Sequence, residues 1–332
     1  MPPASDPADI DVVTGGTVTV RTGAVPERLN RSGLAYAVTA YVLWGMLPLY
    51  FLLVAPTGPF ELVAVRVIFS LLFCALLLTV TRAWKPFFRL LVTPKISFTM
   101  ALAGALIFVN WQTYVFGVLN GQVVEASLGY FINPIVTVFL GVFFLRERLR
   151  LIQWISVGIS ILAVLVLAVG AGGVPWIALI LAFSFGLYGY IKKRVGPRVD
   201  AVAGLTLETT WLLPVAILQL VFVGLTTGLT IGTVSPVHTA LLVGTGVITA
   251  VPLLLFAAAS RRLPLVWMGF IQFFAPVIQF LFGVLVLHEE MPLERWIGFA
   301  LVWLALIVLT VDMAAGARRS AVQRNKAAGT RP

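Results

Sequence analysis

Two charged side chains that could do chemistry, Arg66 and Glu208, lie inside long apolar stretches of the sequence. A charge at the centre of a membrane helix costs roughly 2.5–3.5 kcal/mol on insertion scales, so it usually faces a cavity or a partner. Two roles are open. The side chains form a structural ion pair, or Glu208 binds a substrate cation or a proton while Arg66 binds a carboxylate or tunes the Glu208 pKa.

Polar side chains also recur at helical spacing within the apolar stretches. Glu125, Gly129 and Asn133 stand at i, i+4 and i+8, with Tyr130 beside them, so they share one helix face. Pro134 removes one backbone hydrogen bond and is expected to interrupt this helix. The stripe predicts the lining of a polar path. The alternative is a packing surface whose amides form interhelical hydrogen bonds worth about 0.6 kcal/mol each.

Two further stripes complete the predicted path. Gln272, Pro276 and Gln279 form one, and Asn110 and Tyr114 belong to the other. The remaining candidates are two tryptophans within apolar stretches, for which packing is the commoner role, and a third proline that could break a helix: Trp111, Trp211 and Pro252. We expect Pro134, Pro252 and Pro276 to act as gating hinges.

The amino-acid composition indicates the class of protein that holds these residues. Hydrophobic residues make up 60% of it, charged residues 11%, and the mean hydropathy is +1.03. Too few polar residues are present to cover a soluble protein of this size. The single cysteine and two histidines provide no zinc site, and no phosphate loop or hydrolase motif is found. The sequence therefore predicts an all-α integral membrane protein that is not an enzyme and needs no cofactor.

Apolar segments of about 20 residues predict ten membrane spans with both termini cytoplasmic. All Lys and Arg residues except Arg66 and Arg295 then fall on the cytoplasmic side. The net charge of +10 is therefore a topology signal and not a nucleic-acid site. The predicted spans are 33–54, 60–81, 97–119, 124–145, 151–169, 174–191, 202–225, 238–259, 265–287 and 295–313.

The chain also contains an internal repeat. An ungapped shift of 142 residues aligns 134–167 with 276–309 and places Arg66 on Glu208. It matches the proline, glycine, glutamate and tryptophan of the first segment with Pro276, Gly283, Glu289 and Trp296. Five spans in each half predict two inverted five-helix repeats, 33–170 and 174–313, as in secondary transporters. The tails, 1–32 and 314–332, are expected to be disordered and cytoplasmic.

Four segments resemble the RarD subfamily of EamA-type permeases, within the drug/metabolite transporter superfamily. The most specific is Glu-Ala-Ser-Leu-Gly-Tyr-Phe-Ile-Asn-Pro at 125–134, and the others are 182–185, 208–214 and 246–254. The resemblance covers about 33–313. It implies ten helices, a location in the bacterial inner membrane and an exporter, and it implies no particular substrate.

Together these observations predict a secondary transporter that moves a small metabolite or drug by alternating access. The expected partners are a small-molecule substrate, the lipid bilayer and protons as a coupling ion, with the oligomeric state open. A passive channel and a membrane sensor or scaffold that does not transport are the alternatives.

Overall fold

The computed structural model describes residues 31–145, 151–170, 173–195, 198–260, 262–263, 268 and 271–329, and the regular elements in these ranges are α-helices. The predicted N-terminal tail lies outside the described residues, apart from positions 31 and 32, which begin the first helix. The described helices are α1 (Arg31–Gly45), α2 (Leu47–Leu53), α3 (Pro59–Val80), α4 (Trp84–Leu91), α5 (Pro94–Leu119), α6 (Val123–Leu145), α7 (Leu151–Gly170), α8 (Trp176–Val195), α9 (Ala201–Thr226), α10 (Pro236–Ser260), α11 (Phe274–Leu285) and α12 (Leu293–Gly329).

Sequence signals fix several helix starts. Proline is the first residue of α3, α5 and α10, where its missing N–H is not needed for a helix hydrogen bond. Asp200 caps α9 because its carboxylate accepts hydrogen bonds of 3.0 Å from the N–H groups of Val202 and Ala203.

Six helices in the described ranges are long and apolar enough to cross a membrane: α3, α5, α7, α9, α10 and the first part of α12. Helices α1 and α2 make a seventh span if their 43° bend is counted within one segment. Shorter apolar helices lie in α6, α8 and α11. The six clear spans confirm an all-helical membrane protein, and the count of ten stays a prediction.

The C-terminal segment differs from the expectation of disorder. Helix α12 continues from the membrane span to Gly329. Residues 313–329 are rich in alanine and arginine and contain no proline, so their helix propensity is high.

The connections between helices gather at two ends of the bundle. At one end the hydroxyl oxygens of Thr57 and Thr230 are 2.6 Å apart, and Glu289 accepts a hydrogen bond from the Val123 N–H. We call it the carboxylate end after Glu61, Glu125 and Glu289. The opposite end, the basic end, carries Arg82, Lys85, Arg89, Lys95, Arg198 and Arg262.

Close helix packing places α3 and α10 side by side at the centre of the protein. A Cβ atom added at Gly246 would meet the Phe69 backbone, so only glycine allows this approach. A second apolar cluster joins α6, α7, α11 and α12, where the Phe280 and Phe299 rings are 4.7 Å apart. Of the candidate residues, Trp111, Tyr114 and Tyr130 pack in the apolar cluster that includes α3 and α10.

Candidate substrate path

The Arg66 guanidinium lies inside the bundle against aromatic rings from α2 and α5. Its Cζ atom is 4.4 Å from the centre of the Trp111 ring and 5.5 Å from that of Phe51. Its Nε donates a 2.7 Å hydrogen bond to the Thr249 hydroxyl on α10. The buried Nη1 has no hydrogen-bond partner among the described residues. We call the following group the Arg66 cage: Phe51, Arg66, Trp111, Tyr114 and Tyr130.

The two tyrosines of the cage differ in their hydrogen bonding. Their ring centres are 5.7 Å apart, and both rings lie near the guanidinium. Tyr130 donates its hydroxyl to Asn110 Oδ1 at 3.0 Å, and Asn110 Nδ2 donates to Leu181 O and Ser184 Oγ at 3.2 and 3.1 Å. The buried hydroxyl of Tyr114 has no partner in the described part of the chain. Asn110 thus joins α5, α6 and α8, while Tyr114 keeps a free polar group.

Glu208 has the opposite environment, because its charge is compensated. Its carboxylate accepts a 2.8 Å hydrogen bond from Lys192 Nζ in an ion pair and lies 3.3–3.4 Å from the Tyr188 hydroxyl, which donates to it. Glu208 is 1% exposed, whereas the Lys192 side chain is 30% exposed. We call Glu208, Lys192 and Tyr188 the Glu208 group.

Arg66 and Glu208 do not form the ion pair that was one of the two roles considered. Helices α3 and α9 run antiparallel. Near the start of α3, Glu61 is hydrogen-bonded to Thr230, which follows the end of α9. Further along α3, the Cys74 side chain is hydrogen-bonded to Thr206 near the start of α9. Arg66 precedes Cys74 by eight residues, about 12 Å along the helix. The two charges therefore lie at different depths. Neither is central in its helix, since each comes seven residues after the helix start, about 10 Å along it.

The face of α6 that carries Glu125, Gly129 and Asn133 packs against α8, and its lining of a substrate path stays a prediction. A Cβ atom added at Gly129 would meet the Ala178 backbone at 2.7 Å. Glu125 accepts a 3.1 Å hydrogen bond from the Ile177 N–H at the start of α8. Asn133 faces Gly186 on the same helix, and its buried Oδ1 has no hydrogen-bond partner within the described ranges.

Two of the three prolines lie inside continuous helices. Helix α6 continues through Pro134 and α10 through Pro252, because the flanking hydrogen bonds hold the helix where proline removes one. Pro276 is the third residue of α11, where no N–H is needed. The helix breaks expected at Pro134 and Pro252 are therefore wrong, whereas the chain does leave the helix at residues 272–273, just before Pro276. A gating role for these prolines stays a proposal.

The stripe that includes α11 connects the two halves of the chain. Gln279 is buried, and its Nε2 donates a 3.1 Å hydrogen bond to the Trp44 carbonyl beside the bend between α1 and α2. Its Oε1 is buried without a partner in the described structure. Gln272 is partly buried just before α11. Trp211 lies apart from all these residues, since it is 47% exposed on the outside of the bundle, and its Nε1 donates to Ser97.

Two carboxylates at the carboxylate end hold neighbouring backbone segments, and sequence analysis assigned them no such role. Glu61 is 1% exposed and accepts hydrogen bonds of 2.8–3.0 Å from the N–H groups of Thr230 and Ile231. Glu289 accepts from the first two N–H groups of α6 at 2.6 and 3.0 Å. Burial raises the pKa of the Glu289 carboxyl, and these two backbone donors oppose the change.

Lys192 and Tyr188 are not among the predicted site residues, because the distribution of basic residues places the lysine with the cytoplasmic charges that follow the sixth predicted span. Their spacing of four residues, which puts both on one helix face, was the available signal. A cavity of about 210 Å³ opens at the carboxylate end beside Gln122, Glu125 and Arg295, away from the Arg66 cage. The described residues contain no cluster of metal-binding side chains.

Comparison with known proteins adds a family and a fold. Residues 31–169 match the EamA-like transporter family. The chain is 45% identical over 304 residues to Protein RarD of Streptomyces exfoliatus, covering 92% of this chain and 96% of that protein. It is 38% identical over 291 residues to Protein RarD of Escherichia coli strain K12, covering 88% and 98%. One crystal structure shares the fold with a TM-score of 0.53 at 19% identity, covering 84% and 96%.

Proposed function

This chain belongs to the RarD subfamily of EamA-like transporters, and from that premise we propose that it exports a small organic molecule by alternating access. The family makes it a multi-pass transporter of the bacterial inner membrane and not an enzyme. Since no ATP-binding motif occurs in the sequence, the energy comes from an ion gradient or from the substrate gradient.

The proposed architecture is ten spans in two inverted five-helix repeats. Six long apolar helices, the bent α1–α2 pair and the shorter α6, α8 and α11 supply the required segments. The helix contacts support a pseudo-twofold relation. Helix α3 packs on α9 and α7 on α12, and the α5–α8 contact has its counterpart in α10–α1. Helices at equivalent positions in the two halves thus make equivalent contacts, as inverted repeats require.

In the proposed orientation the basic end faces the cytoplasm. Labelling of engineered cysteines tests this proposal. The only native cysteine, Cys74, is buried and is replaced by serine. Cysteines placed at exposed Arg82 and at exposed Glu290 are then treated, in intact cells, with a reagent that cannot cross the membrane. We expect labelling at 290 and none at 82 until the membrane is opened. The reverse pattern would refute the orientation.

The observation that carries the transport proposal is the pair of buried charges at two depths between the halves. The Arg66 cage lies nearer the carboxylate end, and the Glu208 group lies nearer the basic end. Charges buried within a membrane protein usually serve substrate or ion movement. We propose that the substrate passes between α3, α5, α9 and α10, and that Glu208 releases and takes up a proton when its ion pair with Lys192 opens and closes.

Metabolite comparison tests the transport function. Cells express the wild-type protein, Glu208→Gln or an empty vector at matched membrane levels, and medium and cytosol are profiled together. We expect compounds enriched in the medium only with the wild-type protein. If Glu208→Gln exports them equally at every pH, the proton role is wrong. If the three profiles agree, the exporter proposal fails and a scaffold or an importer replaces it.

A further inference from the structure

We infer that the Arg66 cage binds the carboxylate of a small organic acid that carries an aromatic or similarly flat apolar group. The inference deepens the proposed function and rests on it. Arg66 is 3% exposed, so a ligand reaches it only when the surrounding helices separate. Alternating access provides that opening.

The positive charge of Arg66 favours an anionic ligand. Arginine keeps its proton in proteins, so burial does not neutralise it. Among the described residues no carboxylate forms an ion pair with Arg66. The neutral groups beside it include the Thr249 hydroxyl and the phenols of Tyr114 and Tyr130. The aromatic faces of Phe51 and Trp111 stabilise the cation only in part. An anionic ligand would supply the missing counter-charge.

Two buried hydrogen-bond donors of the cage, one on Arg66 and one on Tyr114, favour a carboxylate as the ligand group. Nη1 of Arg66 and the hydroxyl of Tyr114 are both buried and both lack a partner in the described structure, and the two residues are electrostatic neighbours within the Arg66 cage. Buried polar groups without a partner are uncommon and call for an explanation. A carboxylate has two oxygens, so one can accept from Nη1 while the other accepts from the tyrosine hydroxyl. A neutral amide or an amine cannot compensate the arginine charge.

The side chains around the guanidinium indicate what the rest of the ligand is like. The walls of the cage are aromatic: the Phe51 and Tyr114 ring centres are 6.1 Å apart, and Trp111 covers the guanidinium. Such walls favour a flat apolar group and disfavour a strongly hydrated phosphate or chloride ion. The Glu208 group cannot perform this role, because its lysine is already paired with a carboxylate.

Binding to the purified full-length protein in detergent tests the inference without requiring transport. The labelled probe is 3-phenylpropanoate, and the competitors are 3-phenylpropanamide, 3-phenylpropylamine, acetate and chloride. We expect the acid to compete at least tenfold better than the others. Arg66→Met should weaken acid binding at least tenfold, Tyr114→Phe should weaken it about threefold, and Arg82→Gln, which removes an exposed arginine, should leave it unchanged.

Several outcomes would overturn the inference. They are equal binding of the acid and the amide, no binding of the acid to the wild-type protein, and unchanged acid binding in a folded Arg66→Met variant. If Arg66→Met does not fold, Tyr114→Phe decides, since it removes only one hydroxyl. Export in the metabolite comparison without acid binding here would refute the carboxylate site and leave transport intact. Acid binding without export would refute transport and leave the site intact.

Discussion

The Arg66 cage and the Glu208 group occupy equivalent positions of the sequence repeat, yet they treat a buried charge in opposite ways. Glu208 has Lys192 at 2.8 Å and a tyrosine hydroxyl as second donor. Arg66 has aromatic faces, one threonine and an unused Nη1. Of two buried charges 142 residues apart in the sequence, the protein thus compensates one by itself and, in our proposal, leaves the other for another molecule.

This difference separates two roles that the sequence presents as one. A compensated pair can close one end of the bundle and open when a proton neutralises the carboxylate. An uncompensated cation can attract a substrate but cannot close anything. The two charges also lie about 9 Å apart in depth, because Glu208 is two residues nearer to the level of Arg66 than Thr206 is, so a carboxylate bound at Arg66 would not contact Glu208 directly.

The largest stability effect should follow from breaking the compensated pair. Lys192→Met leaves Glu208 buried without its counter-charge. We expect a loss on the order of 2–3 kcal/mol, below the 3–5 kcal/mol of a fully buried pair, because the lysine is partly exposed. Thermal unfolding in detergent measures it. The double variant Lys192→Met with Glu208→Gln should recover most of the loss, and if it is as unstable as Lys192→Met alone, the pair is not coupled.

An intermediate effect should follow from disturbing the helix contact that brings α10 to the Arg66 cage. A methyl group at Gly246 meets the Phe69 backbone, so Gly246→Ala should cost about 1–3 kcal/mol and lower export. Gly189→Ala is the matched control on α8, near the Glu208 group. No atom lies within 4 Å of its added Cβ, so helix propensity should stabilise it by up to about 1 kcal/mol. Equal stability of the two variants would contradict this packing account.

The smallest effect concerns Glu289, which belongs to neither the Arg66 cage nor the Glu208 group. Because burial raises its pKa in the folded protein, the folded state binds its proton more tightly than the unfolded chain does. Stability from this group therefore increases as the pH falls from the raised pKa toward the ordinary value of 4.5, and is lost in the opposite direction. Glu289→Gln should remove this pH dependence of thermal unfolding. An unchanged pH profile would refute the assignment.

Much of the fold follows from local sequence signals. Apolar length, terminal prolines and the Asp200 cap locate most helices, because each acts within a few residues of its position. The helical C-terminal segment was missed, since its many charges and small residues also suit a disordered tail. Continuous helices through Pro134 and Pro252 were missed because tertiary packing decides whether a proline ends a helix.

Part of the membership of the candidate site was predictable, but Phe51, Tyr188 and Lys192 were not predicted, nor was the pairing of the charges. Arg66, Trp111, Tyr114 and Tyr130 do lie together, although helical spacing predicts only that Trp111 and Tyr114 share a face of α5. The partner of Glu208 depends on the crossing of α8 and α9, which no spacing within one helix determines. Trp211 was predicted to line the substrate path but lies on the outer surface of the bundle. Its position within an apolar segment does not determine which side of the helix faces outward.

We propose that the substrate anion binds at the uncompensated Arg66. We would compare the metabolites in medium and cytosol of cells that express the wild-type protein, Arg66→Met or an empty vector, at matched membrane levels. The account predicts that compounds exported by the wild-type protein carry a carboxylate and fall to the vector level with Arg66→Met. Exported compounds without a carboxylate, or equal export by Arg66→Met, would contradict it.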